Sequence, residues 1–218
     1  MRLVAVSVGR PRGVPFRGRL IQTGIFKEPV AAAVMLRELG ADGDGQADLS
    51  VHGGRDKAVY AYPHEHYSYW QAELDRDDFS FGQFGENLTT VGAVESEVAV
   101  GDVFRIGEAK LEISQPRIPC LKLGIRMGQA DFPKRFATSG RSGFYLRVLE
   151  EGQVSAGDEI ERVHHEQNAP PLSELQAAYY RPADHRATLE RAIQQPALSQ
   201  AWRNDLTERL IQLRETRE

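Results

Sequence analysis

Glycine is distributed unevenly along this chain, and its distribution constrains the fold more than any other feature. All twenty glycines lie at or before Gly157, so the last 61 residues, 158–218, contain none. Because glycine is favoured where a chain turns with positive φ, the first part should be rich in turns and strands and the last part helical. We therefore predict two domains, residues 1–163 and 168–218, that meet in the stretch HHEQNAPP at 164–171.

Alternating hydrophobic residues predict β-strands in the first part. VAVSVGR near the start has a period of two, and so does AKLEISQ, in which Leu111 and Ile113 face the same way. The stretch 95–114 predicts three strands separated by two glycine turns, whereas MLRELGADGDG at 35–45 fits either a short helix or a strand. The predicted fold class is mainly β, a many-stranded β-barrel or folded sheet with peripheral helices.

One helix is predicted within the β-rich part, over 62–76. Pro63 suits its first turn, and Tyr67, Trp70 and Leu74 recur at the spacing of one helical face.

The tail is predicted to be a small all-α domain of three helices. Ser173 and Gln176 have the spacing of a capping box for the first. The third carries an apolar stripe formed by Leu198, Trp202, Leu206, Leu210 and Leu213. Three short helices bury too little surface to be stable alone, so they should dock on the β-part or on another subunit.

Charge and composition exclude several classes of function. A formal net charge of −4 argues against a broad nucleic-acid surface, although it leaves room for a small basic pocket. A single cysteine excludes an intrachain disulfide framework and any multi-cysteine metal site. No apolar run approaches the ~18 residues of a membrane span, and the first residues do not resemble a secretory signal. We therefore expect a cytoplasmic protein with no membrane partner.

The stretch DLSVHGGRDKAVYAYP at 48–63 is a candidate anion site. His52 precedes the pair Gly53 and Gly54, whose backbone N–H groups can approach a ligand closely. Arg55 and Lys57 follow and suit an anion such as phosphate. The alternative is a β-hairpin turn whose charges are simply solvated.

Two further glycine-containing stretches have the same ambiguity. In FGENLTT, Gly85 permits an unusual backbone angle and Asn87 offers both hydrogen-bond donors and an acceptor, but a plain turn into a strand is the alternative. In SGRSG, Arg141 lies in a glycine-framed turn, where it would either meet an anionic ligand or be solvated.

The stretch SQPRIPCLKL at 114–123 contains the lone cysteine. Pro116 and Pro119 restrict the backbone around Cys120, so this segment should be extended and preorganised. Arg117 and Lys122 are cations that would stabilise a thiolate, the form that acts as nucleophile or metal ligand. The alternative is that Cys120 is a small buried hydrophobic side chain.

Taken in order, VHGGRDKAVYAYPHEHYSYW, FGENLTT, GDVFRIGEAKLEISQPRIPCLKL and GRSGFYLRVLEEGQVSAGDEI resemble a MOSC domain. The helical tail makes the chain similar to the bacterial YiiM branch, in which a three-helix domain follows the MOSC domain. The combination of HGG, GENL and QPRxPCxKL in this order is specific, although each motif alone is weak. The resemblance implies a MOSC-type β-barrel and covers nearly the whole chain.

The resemblance also implies an activity and a site. MOSC relatives bind the molybdenum cofactor, and YiiM-like proteins reduce N-hydroxylated compounds such as 6-hydroxylaminopurine. By position in the motif, Cys120 matches the cysteine that ligates molybdenum in a mitochondrial relative, and Asn87 matches an asparagine beside the cofactor. Asn87 and His52 would orient cofactor or substrate, which places them with Cys120 as the predicted catalytic residues. The remaining cofactor-binding candidates are Gly53, Gly54, Arg55, Lys57, Gly85, Arg117, Lys122 and Arg141.

The expected partners follow from this interpretation. They are a small N-hydroxylated substrate and an electron-donating flavoprotein or iron–sulfur protein, since one cysteine cannot hold a cluster. The oligomeric state stays open between monomer and homodimer. Two other functions stay open as well: a sulfur carrier with a persulfide on Cys120, and a non-catalytic cofactor-binding module.

Overall fold

The computed structural model describes residues 1–48 and 53–215. Strands dominate its first three quarters. They are β1 (Arg2–Val8), β2 (Arg12–Phe16), β3 (Arg19–Thr23), β4 (Glu28–Val30), β5 (Val34–Arg37), β6 (Gly40–Ala41), β7 (Val59–Pro63), β8 (Leu88–Val91), β9 (Val103–Ile106), β10 (Ala109–Pro116), β11 (Phe144–Glu150), β12 (Gly152–Val154) and β13 (Ile160–His164). The helices are α1 (Glu65–Leu74), α2 (Leu121–Met127), α3 (Phe132–Thr138), α4 (Leu172–Tyr180), α5 (Arg186–Ile193) and α6 (Gln200–Glu215).

The main sheet has eight strands in the order β13-β9-β10-β11-β7-β8-β1-β4. Strands β7 and β8 run parallel, and the other neighbours pair antiparallel. The chain just before β13 also bonds to β1, because Leu3 N–H donates to Asp158 O at 2.9 Å and Gly157 N–H donates to Leu3 O at 2.8 Å. These bonds join opposite ends of the strand order, so the sheet is rolled. The predicted mainly β class is confirmed.

Two smaller sheets complete the β-rich part. Strands β12, β5 and β6 form one of them, so the ambiguous segment near Met35 is a strand pair and not a helix. Strands β2 and β3 form a separate hairpin.

An aromatic cluster supports α1, α2 and α3 on the sheet. Tyr62, Trp70, Phe84, Phe132 and Phe136 are fully buried or nearly so, and their rings stack or meet edge to face. Each such pair stabilises the packing by about 0.5–1.5 kcal/mol beyond the buried area. The cluster therefore fixes the two short helices that follow Cys120.

The C-terminal helices share the core of the main sheet. Leu172, Leu189, Trp202 and Leu206 belong to the same buried cluster as the sheet residue Leu111. The predicted stripe of the third helix is confirmed for Trp202, Leu206 and Leu210, which are buried, and for Leu213, which packs against them. Leu198 is also buried, but it precedes helix α6 and is not part of it. The helices thus dock on the β-part of their own chain.

The predicted capping box is wrong. Helix α4 begins at Leu172, so Ser173 lies inside it, and no side chain caps it. Instead the N–H groups of Leu172 and Ser173 donate to the carbonyl oxygens of Val98 and Glu95, at 2.9 and 3.0 Å. These two carbonyl groups therefore accept the hydrogen bonds of free N–H groups at the start of the helix, which a capping side chain would otherwise accept.

Two local predictions also need correction. Residues 95–98, predicted as the start of a strand, form a turn and coil, and the strands of that region begin at β9. Pro63 ends strand β7 and is not in the first turn of α1, although Tyr67 and Trp70 do face the core as predicted. Over the residues described, none of the helices combines the length and the apolar character needed to cross a lipid bilayer.

Candidate functional site

A cleft of about 640 Å³ opens between the β2–β3 end of the molecule, strand β7 and the start of α2. Its walls come from six segments far apart in sequence, which contribute cations, tyrosines, glycines and one thiol. The lining residues used below are Thr23, Gly24, Ile25, Lys27, Gly45, Gly53, Lys57, Tyr60, Gly85, Asn87, Arg117, Cys120, Lys122 and Tyr145.

Cys120 is partly exposed on the cleft wall. Strand β10 ends at Pro116, and the chain reaches Cys120 in an extended conformation, with φ −128° and ψ 176° at the cysteine. The carbonyl of Cys120 then accepts the N–H of Leu123 at 3.0 Å, so helix α2 starts directly after it. The predicted extended segment is therefore present, and the helix behind it fixes where it ends.

Arg117 is the buried cation beside the thiol. Its Nη1 donates to the carbonyl of Phe84 at 2.6 Å, and its guanidinium lies 4.4 Å from the ring centroid of Tyr60. Burial acts to lower the pKa of Arg117, but its interactions with Tyr60, Tyr145 and Cys120 outweigh burial and raise it. The guanidinium therefore stays charged, and its field favours the thiolate form of Cys120.

Tyr60 and Tyr145 form the aromatic floor of the cleft. Their ring centroids are 5.3 Å apart, and Tyr60 donates its hydroxyl to Ser142 O at 2.7 Å. Burial raises the pKa of both phenols, so both hydroxyls are neutral at physiological pH.

Lys27 lines the cleft and forms a buried ion pair with Asp44, which lies behind it. The ammonium of Lys27 bonds directly to Asp44, and both side chains are almost wholly buried. Asp44 also accepts the N–H of Gly9 at 2.9 Å and Nδ2 of Asn87 at 2.9 Å. Burial lowers the pKa of Lys27, while Asp44 partly offsets that effect.

The side chain of Asn87 hydrogen-bonds to three segments of the chain near the cleft. Its side-chain oxygen accepts the N–H of Tyr60 at 3.2 Å, and its amide nitrogen donates to Ser7 O at 3.2 Å as well as to Asp44. Both amide protons are thus used inside the protein. Asn87 positions the cleft walls and holds Asp44 in place for Lys27.

Glu86 organises the loop that carries Gly85 and Asn87. Its wholly buried carboxylate accepts the hydroxyls of Tyr67 and Thr89 and the N–H groups of Gly82 and Phe84. Gly85 itself has φ +83°, and a Cβ there would lie 2.7 Å from Cγ1 of Ile25 on the cleft wall. The loop therefore requires both glycine at 85 and a carboxylate at 86.

The cleft brings together seven of the predicted site residues: Gly53, Lys57, Gly85, Asn87, Arg117, Cys120 and Lys122. Three others lie off its wall. Gly54 has φ +77°, and a Cβ added there would have no atom within 4 Å. Arg55 is exposed and lies 3.5 Å from Glu38. The guanidinium of Arg141 stacks 3.8 Å from the ring centroid of Tyr69. His52 lies outside the described residues, so its predicted orienting role stays a prediction.

The cleft also contains functional residues that sequence reasoning missed. Lys27, Tyr60 and Tyr145 line the cleft, and Asp44 pairs with Lys27. None of these four residues belongs to a local motif, because pairing of distant strands and loops brings them together. Tyr60 lies within the candidate anion-site stretch 48–63, but no site role was predicted for it.

Comparison with known sequences agrees with the two-part architecture. The family model for the MOSC domain matches residues 48–161, and the model for the YiiM-like 3-alpha helix domain matches residues 170–212. With the rolled sheet and the cleft, these matches show that the chain belongs to the MOSC domain family. The C-terminal match adds the three-helix domain of its YiiM-like members.

Individual relatives are similar over most of the chain. The uncharacterized protein YflK of Bacillus subtilis is 42% identical over 201 residues, which are 92% of this chain and 90% of YflK. The crystal structure of YiiM from Geobacillus stearothermophilus matches with a TM-score of 0.81 at 36% identity, and covers 96% of this chain and 98% of that one. A protein of Gibberella moniliformis named Reductase is 36% identical over 161 residues, which are 72% of this chain and 28% of that protein.

Proposed function

We propose that this protein is a molybdenum-cofactor-dependent reductase that converts N-hydroxylated compounds, such as 6-hydroxylaminopurine, to amines. Membership of the MOSC family supports the link to the cofactor, and a relative named Reductase supports the class of reaction. The observation that carries the proposal is the lone thiol of Cys120, placed beside the charged Arg117 on the wall of a cleft that is also lined by three lysines.

The donor set of the cleft fits this cofactor. Within the described residues, no three His, Cys, Asp or Glu side chains are grouped to bind a metal on their own. One thiolate suits a metal whose other sulfur ligands arrive with a cofactor. Lys27, Lys57, Arg117 and Lys122 on the same walls suit the phosphate at the end of its side chain.

The overall reaction consumes two electrons and two protons: the N–O bond of R–NH–OH breaks, and R–NH₂ and water form. When bound, the molybdenum cofactor supplies the two-electron chemistry for this bond cleavage. Cys120 would be the metal ligand from the protein, and the positive charge of Arg117 would favour its thiolate form. Asn87 and Asp44 hold the ammonium of Lys27 at the cleft, where its charge would suit an anionic group of the cofactor.

The electrons must come from a second protein. This chain has one cysteine and so cannot hold its own iron–sulfur cluster. The proposal therefore includes an electron-donating flavoprotein or iron–sulfur protein as partner.

The direct test is turnover of 6-hydroxylaminopurine to adenine by cofactor-loaded protein, with reduced methyl viologen as electron donor. Wild type should turn over, and Cys120→Ala should lose activity by about two orders of magnitude or more, because the metal ligand is removed. Leu121→Ala is the matched control, since that neighbouring side chain is exposed and off the cleft wall. Cofactor-loaded wild type that reduces no N-hydroxylated compound would contradict the proposal and favour a binding module.

A further inference from the structure

We propose that the β2–β3 hairpin is the docking surface for an acidic electron-donating protein. This inference rests on the proposed function, because only a reductase requires a protein that delivers electrons to the cleft. It concerns a part of the chain that precedes the matched MOSC segment, residues 48–161.

The hairpin concentrates positive charge on an exposed surface. Arg10, Arg12, Arg17 and Arg19 are all exposed, and the segment 9–27 contains no aspartate or glutamate. Arg17 and Gly18 form its tip with φ 49° and 74°, which is the left-handed geometry of a tight two-residue hairpin turn. Among the described strands, β2 and β3 pair only with each other, so the hairpin is a sheet separate from the main one.

In the part of the chain that the structure describes, no ion pair neutralises these four arginines. Among residues 1–48 and 53–215, the ion pairs involve other cations, and none includes Arg10, Arg12, Arg17 or Arg19. The chain as a whole has a net charge of −4. The basic hairpin would therefore attract an acidic partner to one face of the protein. The net negative charge of the chain would repel such a partner from the other faces.

The base of the hairpin is part of the cleft. Strand β3 ends at Thr23, which lines the cleft together with Gly24 and Ile25. On the other strand, a Cβ on Gly45 of the cleft wall would lie 2.8 Å from the ring of Pro11. A protein bound to the hairpin would therefore lie at the cleft where the electrons are needed.

A second basic residue extends this surface along the cleft. The guanidinium groups of Arg12 and Arg126 lie 4.5 and 5.1 Å from the centroid of the same ring, Phe26. The ring therefore brings the two cations close together beside the hairpin. Leu20, which is 65% exposed, adds an apolar contact among the arginines.

The distribution of the basic residues favours an electron-donating protein over a nucleic acid as partner. A nucleic-acid surface requires basic residues spread along a long groove or stripe, whereas this one is confined to a short hairpin and its base. Electron-transfer encounters use small interfaces and rely on charge complementarity for fast association.

The experiment compares two double variants of the cofactor-loaded protein. Arg17→Glu/Arg19→Glu reverses the hairpin charge, and Arg191→Glu/Arg214→Glu changes the net charge equally on exposed positions of the C-terminal helices. An acidic flavodoxin in its reduced form is the protein donor, and reduced methyl viologen is the donor that needs no docking. Binding of oxidised flavodoxin is also measured at low ionic strength, which requires no turnover.

We expect the hairpin variant to bind flavodoxin at least about tenfold more weakly than wild type and to accept its electrons at least about tenfold more slowly. The affinity of the variant should also depend less on salt concentration. The control variant should stay within about twofold, and viologen-driven turnover should be unchanged in both. Equal flavodoxin binding by wild type and hairpin variant would overturn the proposal. So would hairpin-dependent binding of a single-stranded DNA oligonucleotide without hairpin-dependent binding of flavodoxin.

The outcomes separate this inference from the proposed function. If viologen-driven turnover is absent in wild type, the reductase proposal fails. The binding measurement then still decides whether the hairpin recognises the acidic protein.

Discussion

Asn87 donates a hydrogen bond from Nδ2 to Oδ2 of Asp44 at 2.9 Å, across 43 positions of sequence. The same asparagine joins strands β1 and β7 through Ser7 O and Tyr60 N. Asp44 in turn pairs with Lys27, so one amide links the core of the sheet to a buried cation in the cleft. The asparagine that resembles a cofactor neighbour is therefore, in this structure, a positioning residue for the cleft wall.

Asn87→Ala should lower the free energy of unfolding by about 2 kcal/mol or more, because it leaves several buried groups without their bonds. Urea denaturation followed by circular dichroism measures this. Asn204→Ala, which removes an exposed amide on α6, is the control and should change stability by no more than about 0.5 kcal/mol. Equal effects of the two substitutions would show that Asn87 has no special role.

Lys27 should give stability a distinctive pH dependence. Burial lowers its pKa in the folded state below the ordinary 10.5 of the unfolded chain. Between these two pKa values the unfolded chain binds the extra proton, so the free energy of unfolding should rise as pH increases through this window below 10.5. The penalty of the buried ammonium is fully present at lower pH.

Lys27→Met should reduce that slope and also lower stability at neutral pH, since it leaves the carboxylate of Asp44 buried without its ion pair. Urea denaturation at a series of pH values measures both effects. Lys134→Met, which removes an exposed ammonium, is the control and should keep the wild-type slope. An unchanged slope in Lys27→Met would contradict the assignment.

Glu86→Ala should lower the free energy of unfolding by about 3 kcal/mol or more, because four donors around a wholly buried carboxylate lose their acceptor. Glu73→Ala provides the comparison. Glu73 pairs with Arg135 at 2.8 Å on the surface, and such an exposed pair contributes at most about 1 kcal/mol. Thermal and urea unfolding of both variants measure the difference, and similar losses would refute the role of Glu86 in folding its loop.

Trp202→Ala should destabilise the entire chain by about 3–5 kcal/mol, because this side chain lies in the core shared by the helices and the sheet. Unfolding should remain a single transition for fluorescence and circular dichroism alike. Ile211→Ala on the exposed side of α6 should have little effect. A variant in which the helices unfold while the sheet stays folded would show that the two parts are energetically independent.

Local pattern predicted much of this fold. Alternation identified β10, and the glycine boundary and the stripe from Leu198 to Leu210 identified the helical tail. The capping box failed because the N–H groups of α4 bond to Val98 and Glu95, which only the folded chain brings there. Helices α2 and α3 were missed because two prolines dominate the pattern around Cys120, whereas burial of Phe132 and Phe136 stabilises those helices.

The residues of the candidate site also divide into those that local sequence predicts and those that only the folded chain brings together. Cys120, Arg117 and Lys122 lie close in sequence and were found together, because one segment carries them. Lys27 and Asp44 were not predicted, because a buried ion pair between loops has no periodicity and no motif. Arg55 and Arg141 satisfied a composition rule for anion binding, yet each has a partner off the cleft wall.

The most direct test of the central claim is molybdenum per polypeptide, measured by elemental analysis of protein from a cofactor-competent host. Cys120→Ala and Leu121→Ala are purified alongside and checked for intact folding. The account predicts nearly one molybdenum per chain in wild type and Leu121→Ala, and loss of most of the metal in Cys120→Ala. Folded wild type without molybdenum, bearing a persulfide on Cys120 by mass spectrometry, would contradict it and identify a sulfur carrier.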